Sequence, residues 1–185
     1  MENFIEYINQ FEEFSTEQID FVQQKASYLD LKKDEYFIEA GRVFKSVGII
    51  LEGIMRICYF DNKGNEITKI FLEPVHLLLG MENVPSSEYI QAITDCKMLV
   101  FKLEDWKEIN HVIPNWEGMV QKSERSALIN KLRLVSPLVS QDASTRYKEF
   151  LIKYPLLANK IPLAYIASYI GITQQSLSRI RKSIR

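Results

Sequence analysis

The chain has 185 residues, of which 46% are hydrophobic, so it can bury the core of one large domain or of two small ones. Its two cysteines, Cys58 and Cys96, exclude a disulfide framework, and no apolar run reaches the roughly 18 to 20 residues of a membrane span. The net charge of −1 conceals a division, because residues 121–185 carry twelve Lys or Arg and three acids, whereas residues 1–120 carry eleven and twenty-one. Since the N-terminus also has acids where a signal peptide has bases, we expect a cytoplasmic, reduced protein with no membrane partner, whose C-terminal part attracts phosphate.

The first thirty residues have the apolar spacing of packing helices. One helix presents Phe4, Ile5, Ile8 and Phe11. A second helix begins near Ser15, where Gln18 stands at the spacing of a capping box, and its inner stripe is Ile19, Val22, Ala26 and Leu29. This pattern predicts helix as far as about residue 29.

From Lys33 to Lys102 the pattern changes to short strand-like runs separated by turn residues. Glycines recur at Gly41, Gly48 and Gly53, and the run from Asp61 to Gly64 lies between two strongly apolar segments. Regularly spaced turns of this kind indicate a β-sandwich or jelly-roll barrel made of hairpins. The turn at 61–64 is the clearest hairpin.

Two helices are predicted after the strands, one at 104–111 and a longer one at 115–135, which we expect Pro137 to end. The longer helix has two possible dimer seams. One consists of Trp116, Val120, Ser123, Ala127, Asn130 and Leu134, and is strongly apolar only at its ends. The other consists of Leu128, Leu132 and Val135, and covers only the second half. The alternative is a single helix packed on its own chain.

A further helix over 142–154 places Tyr147, Phe150, Leu151 and Tyr154 on one face. Residues 161–185 then contain two short helical patterns on either side of Gly171, with four basic residues and no acid. The apolar positions Ile166, Ile170, Leu177 and Ile180 face inward, Ala167 permits a close helix crossing, and Thr173 is placed as an N-cap. An ordinary helical hairpin with a solvated basic face is the alternative interpretation.

These segments resemble the Crp/Fnr family of bacterial transcription regulators. The helix-turn-helix resemblance is carried by residues 166–173 (IASYIGIT) and 177–182 (LSRIRK). Residues 51–59 (LEGIMRICY) are similar to the family's strand-Gly-x-x-Arg signature, Asp61, Gly64 and Glu66 to its following turn, and Arg146-Tyr147 to its supporting helix. The resemblance covers about Lys33 to Lys182.

The resemblance implies an α+β fold in three parts. These are a cyclic-nucleotide-binding-like jelly-roll sensor domain flanked by helices at 1–112, a connecting and dimerisation helix at 113–136, and a helix-turn-helix DNA-binding domain at 137–185. It also implies a homodimer whose two recognition helices enter successive major grooves of double-stranded DNA. We expect base contacts from Gln175 and Arg179. The full predicted interface is Ser168, Thr173, Gln174, Gln175, Ser178, Arg179, Arg181, Lys182 and Arg185, with Ser168, Arg181, Lys182 and Arg185 assigned to phosphates.

A cyclic nucleotide is not the expected effector. The family binds the cyclic phosphate and the ribose hydroxyl with a Gly-Glu-Leu step and an Arg-Ser or Arg-Thr pair, whereas this chain has Gly80-Met81-Glu82 and, at the position of the pair, Ser86-Ser87. No Lys or Arg occurs between Lys69 and Lys97, so a bound phosphate would lack a cation. Residues 80–82, 86 and 87 are therefore the predicted effector pocket. We expect its effector to be an unknown small molecule, unless the protein has no effector.

Other cofactors and catalysis are not expected either. Two cysteines are too few for an iron–sulfur cluster, and neither His76 nor His111 has a second metal ligand at workable spacing. No serine or cysteine nucleophile has an evident neighbouring base. We therefore predict a DNA-binding regulator that is not an enzyme. The alternative is a degenerate relative that binds a small molecule or a protein and has little or no affinity for DNA. Larger family members continue into a β-hairpin wing after the recognition helix; no such segment follows here, so we expect DNA affinity to depend on dimerisation.

Overall fold

The computed structural model describes residues 2–155 and 157–184, and within its helices it leaves the side chains of residues 2, 3, 130, 131 and 134–139 outside the description. Two helices lead into eight strands, in the order α1 (Glu2–Asn9), α2 (Thr16–Lys25), β1 (Ser27–Leu31), β2 (Tyr36–Ile38), β3 (Ser46–Glu52), β4 (Met55–Phe60), β5 (Glu66–Leu72), β6 (Leu77–Leu78), β7 (Tyr89–Ala92) and β8 (Cys96–Lys102). Five helices follow, in the order α3 (Leu103–Val112), α4 (Trp116–Ser140), α5 (Ala143–Lys153), α6 (Leu163–Tyr169) and α7 (Gln174–Ile184).

The strands form two four-stranded antiparallel sheets, with orders β1-β8-β3-β6 and β2-β7-β4-β5. The sheets face each other across a core of alternating inward residues that includes Ile50, Met98, Ile57 and Ile70. The predicted jelly-roll architecture is confirmed, although the sheets remain two facing layers and do not close into a continuous barrel. The hairpin at 61–64 is also confirmed, because Asp61 bonds across the turn to Asn65 and Gly64 has a φ of +77°.

The N-terminal helices cover the outer face of the first sheet. Phe4, Ile8 and Val22 pack with Phe101 and Trp116 in a second core cluster. The predicted capping box is present, since Ser15 and Gln18 exchange side-chain to backbone hydrogen bonds. The prediction of helix to residue 29 is wrong, because α2 ends at Lys25 and Leu29 lies in β1, paired with Met98. Leu29 stands at helical spacing in the sequence, but in the structure it belongs to a strand and packs against the core between the sheets.

The long helix α4 runs through Pro137 to Ser140, so the prediction that this proline ends the helix is wrong. Proline removes one backbone N–H and crowds the preceding turn, which can bend a helix without ending it. The helical domain that follows packs on the outer face of the second sheet, where Ile54, Phe71 and Ile93 join the apolar faces of α5, α6 and α7. In the described part of the chain, no helix is long and apolar enough to cross a membrane.

Candidate nucleic-acid interface

The turn between α6 and α7 depends on a glycine in the left-handed region. Gly171 has a φ of +74°. The N–H of Ile172 donates to the carbonyl of Ala167 at 3.0 Å, and the N–H of Gly171 donates to that of Ser168 at 3.1 Å. These two bonds form a Schellman motif, in which a residue with a Cβ would be strained. The predicted role of Gly171 as the residue that ends α6 is confirmed.

The start of α7 is capped by Thr173. Its Oγ1 accepts a hydrogen bond from the N–H of Ser176 at 3.2 Å, as the N-cap prediction requires. Behind the turn, Ile166, Ala167 and Leu177 are almost completely buried where α6 crosses α7. The small side chain of Ala167 lets the two helices approach closely, which fixes the direction in which α7 projects.

The outward face of α7 is polar, basic and largely solvent-exposed. Gln174, Gln175, Arg179 and Lys182 are exposed. Ser178 and Arg181 are half-buried. Within the described residues, the four exposed side chains form no hydrogen bond or ion pair, so their donors remain available to a ligand. Because residues three and four apart share a helix face, 174, 175, 178, 179 and 182 lie on one surface. Arg185 lies outside the described residues.

The predicted phosphate contact Ser168 is used differently in this conformation. Its Oγ accepts a hydrogen bond from the N–H of Thr68 at 2.8 Å and lies 3.1 Å from the carbonyl oxygen of Glu66, to which it donates. Both partners belong to β5, an edge strand whose outer backbone groups would otherwise lack protein partners. Ser168 therefore joins α6 to the second sheet, on a surface other than the outward face of α7.

A buried arginine, which the sequence analysis did not select as a site residue, lies beneath α6. Arg56 is 1% exposed, and its guanidinium donates to Gln91 Oε1 at 2.6 and 2.9 Å, to Thr68 Oγ1 at 3.1 Å and to Glu66 Oε1 at 2.5 Å. The ring of Tyr165, on α6, covers the guanidinium carbon at 3.5 Å from the ring centroid. The sequence did contain a signal for this residue, because Arg56 is the one charged residue in the apolar run of β4. It is also the arginine of the Gly-x-x-Arg resemblance, which assigned it no role.

An aromatic cluster extends this interdomain contact. The Phe71 ring on β5 lies 5.2 to 6.0 Å, between centroids, from the rings of Phe150, Tyr154 and Tyr169. Burial raises the pKa of Tyr154 and Tyr169 above the usual phenol value. The helical domain is thus attached to the second sheet by apolar, aromatic and charge-assisted contacts together.

The five residues predicted for the effector pocket differ in their surroundings. Gly80 is packed against the ring of Phe44, so that a Cβ at this position would lie 2.0 Å from the ring. Met81 is 72% exposed, and Glu82 forms an ion pair with Lys107. The Ser86 hydroxyl bonds to the backbone of Glu88. Ser87, on the same loop, is exposed.

Large side chains fill the space between the sheets. A Cβ on Gly48 would lie 2.7 Å from the ring of Phe37 and 2.8 Å from the methyl group of Met98. Phe37 and Phe44 pack together, with centroids 6.2 Å apart. Aromatic and thioether groups thus occupy the region between the sheets next to the predicted pocket.

The structure separates the two predicted seams of α4. Trp116 and Ser123, from the first seam, are buried against their own chain, and Ser123 is hydrogen-bonded to Tyr7. Leu128 and Leu132, from the second seam, are 56% and 62% exposed. Trp116 and Ser123 therefore serve intrachain packing, whereas Leu128 and Leu132 present apolar side chains to solvent. The side chains of Asn130, Leu134 and Val135 lie outside the described residues.

Both thiols of the chain are buried. Burial raises the pKa of the Cys58 thiol to about 11, and that of Cys96 is raised for the same reason. Among the described residues, no three His, Cys, Asp or Glu side chains come together as a metal site.

No protein-family model matches the sequence, and no curated protein is significantly similar to it. Solved structures are similar in fold. FixK2 from Bradyrhizobium japonicum matches with a TM-score of 0.76 and 18% identity, over 86% of this chain and 84% of that one. A Crp/Fnr-family transcriptional regulator from Eubacterium rectale matches with a TM-score of 0.76 and 16% identity, over 98% of this chain and 87% of that one. The c-di-GMP-responsive regulator CLP of Xanthomonas campestris matches with a TM-score of 0.76 and 12% identity, over 92% of this chain and 91% of that one.

Proposed function

Taking as premise that this chain has the fold of the Crp/Fnr regulators, we propose that it is a sequence-specific, homodimeric DNA-binding transcription regulator. The observation that carries the proposal is the outward face of α7. It presents Gln175 and Arg179, which can form bidentate hydrogen bonds with adenine and guanine, on a helix whose direction the Gly171 turn fixes. Lys182 and Arg181 supply positive charge for phosphates.

The dimer is proposed through α4. Leu128 and Leu132 lie four residues apart, so they share one face, and both are exposed in the single chain. Burial of these side chains against a second copy would remove apolar surface from water, and would bring two α7 helices into one assembly. The predicted operator is a near-palindrome with half-sites about 34 Å apart.

The effector is proposed to be something other than cyclic AMP or cyclic GMP. The filled space between the sheets and the lack of a cation at residues 86 and 87 support this proposal. Isothermal titration calorimetry with each cyclic nucleotide should give no heat of binding. A dissociation constant in the micromolar range or below would contradict it.

Salt-dependent binding of random double-stranded DNA tests the proposed function. Fluorescence anisotropy of a labelled 30-base-pair duplex should show affinity that falls steeply between about 50 and 200 mM salt, because basic side chains release counterions from phosphates. Selection from a random duplex library should then enrich a palindrome. A flat salt dependence and no enriched sequence would favour the alternative, a module that binds a small molecule or a protein.

A further inference from the structure

A groove lies on the surface of the sensor domain, between α1, the connection from β5 to β6, and the middle of α4. Its volume is about 710 Å³, within the roughly 300 to 1,000 Å³ typical of small-molecule sites. The groove is separate from the filled space between the sheets and from residues 80–82, 86 and 87, none of which lines it. It is also independent of the face of α7.

The lining combines apolar walls with a few polar groups. Phe11, Leu77, Leu79 and Leu128 contribute apolar surface. Tyr7 and Ser123, which also line the groove, are joined by a hydrogen bond between their hydroxyls at 2.5 Å, which ties α1 to α4. An arrangement of apolar walls with a small number of fixed polar groups is typical of sites that orient an organic ligand.

Charge restricts the class of ligand. Among the described lining residues, Glu124 is the acid, His76 is a titratable imidazole, and there is no Lys or Arg. The nearby Lys122 is engaged elsewhere, because its ammonium donates to the carbonyl of Phe11 at 3.0 Å and to Glu12 at 3.1 Å. An anionic ligand would therefore lose water without gaining a Lys or Arg partner, whereas an uncharged or cationic ligand needs no such partner.

One wall of the groove is strained. Val75 has a φ of +70°, a conformation that β-branched residues rarely adopt. Two backbone hydrogen bonds hold it there, from Val75 N–H to the Ile50 carbonyl at 2.7 Å and from Ile50 N–H to the His76 carbonyl at 3.2 Å. Strain of this kind persists where the surrounding structure imposes it, and it concentrates at ligand sites.

We propose that this groove binds an apolar small molecule that is uncharged or cationic, held between α1 and α4. The proposal concerns binding by the sensor domain and does not depend on DNA binding, so the two can fail separately. Occupancy would act on the helix that carries Leu128 and Leu132, and thus on the surface proposed for the dimer.

Two fluorescent probes with the same ring system test the class of ligand in the full-length chain. N-phenyl-1-naphthylamine is uncharged, and 8-anilinonaphthalene-1-sulfonate adds one sulfonate. The uncharged probe should bind saturably, one per chain, and about ten-fold or more tighter than the anionic probe, since the sulfonate finds no Lys or Arg. Equal affinities, or tighter binding of the anionic probe, would overturn the proposal.

Variants locate the site. Ala127→Trp places a large ring in the groove and should weaken the uncharged probe about ten-fold or more, whereas Asn110→Trp, on an exposed position of α3, should leave its affinity unchanged. If Ala127→Trp has an altered circular dichroism spectrum, Ser126→Phe at the exposed rim replaces it, with the same expectation. Glu124→Gln should strengthen the anionic probe by about three-fold and leave the uncharged probe unchanged. Unchanged binding in a folded groove variant would refute the assignment.

A second copy of the chain is the competing occupant. Leu132→Asp should weaken the dimer but leave one uncharged probe bound per chain with similar affinity, as measured alongside sedimentation velocity. Loss of probe binding together with loss of the dimer would show that the site belongs to the interface between copies, and would overturn the proposal.

Discussion

Arg56 provides the most direct test of how helices α5 to α7 are attached to the second sheet. In the Arg56→Ala variant, Gln91 Oε1 loses both of its guanidinium donors while remaining buried, and the Glu66 carboxylate loses a partner at 2.5 Å. Removal of one member of a buried ion pair costs about 3 to 5 kcal/mol. Because the Glu66 side chain is 29% exposed and can recover water, we expect the lower part of that range, about 3 kcal/mol.

The assay is urea unfolding at neutral pH, followed by tryptophan fluorescence and by far-ultraviolet circular dichroism. Lys69→Ala is the matched control, because Lys69 lies on the neighbouring strand β5 and its side chain, which pairs with Glu88, is 51% exposed, against 1% for Arg56. The control should change the free energy of unfolding by about 1 kcal/mol or less. Hydrogen exchange adds a local readout, since the Thr68 amide bonded to Ser168 should exchange faster in Arg56→Ala. A decrease in the free energy of unfolding no larger than that of the control, together with an unchanged exchange rate of the Thr68 amide, would refute the role assigned to Arg56.

Three further predictions concern DNA, assembly and pH. Arg179→Ala should reduce the binding free energy for a selected operator by about 1 to 3 kcal/mol and relax specificity at one base pair. Lys182→Ala should weaken binding to specific and random DNA alike and reduce the slope of log affinity against log salt by about one. Equal effects of both variants on both DNAs would contradict this division. Leu132→Asp should weaken the dimer by about 2 kcal/mol in sedimentation equilibrium, while Ile152→Asp, at an exposed position of α5, should not. Because burial raises the pKa of Cys58 from 9 to about 11, the folded state favours the neutral thiol; its contribution to stability is complete below about pH 9 and is lost as the pH rises towards 11. Urea unfolding between pH 7 and 11 should show that decline, and Cys58→Ala should reduce it.

Local signals in the sequence predicted local structure well. The Ser15 capping box, the turn at Asp61, the left-handed Gly171 and the Thr173 cap all depend on contacts within about five residues, so the sequence pattern contains all the partners. Predictions that required a choice between two periodicities were less secure. Leu29 fitted a helical stripe and also an inward strand position, and pairing with β8 decided the outcome.

The helix-turn-helix pattern, its basic outward face and the alternation of strands were determined by the sequence itself, because these follow from spacing and charge along the chain. The tertiary structure alone decided which face of each element is covered. It buried Trp116 and Ser123 and left Leu128 and Leu132 exposed on α4, although both seams were apolar enough to be considered. It also brought Arg56 under Tyr165, 109 positions away, and bonded Ser168 to β5. No periodicity encodes contacts between segments so distant in sequence, because they arise only when the two domains pack together.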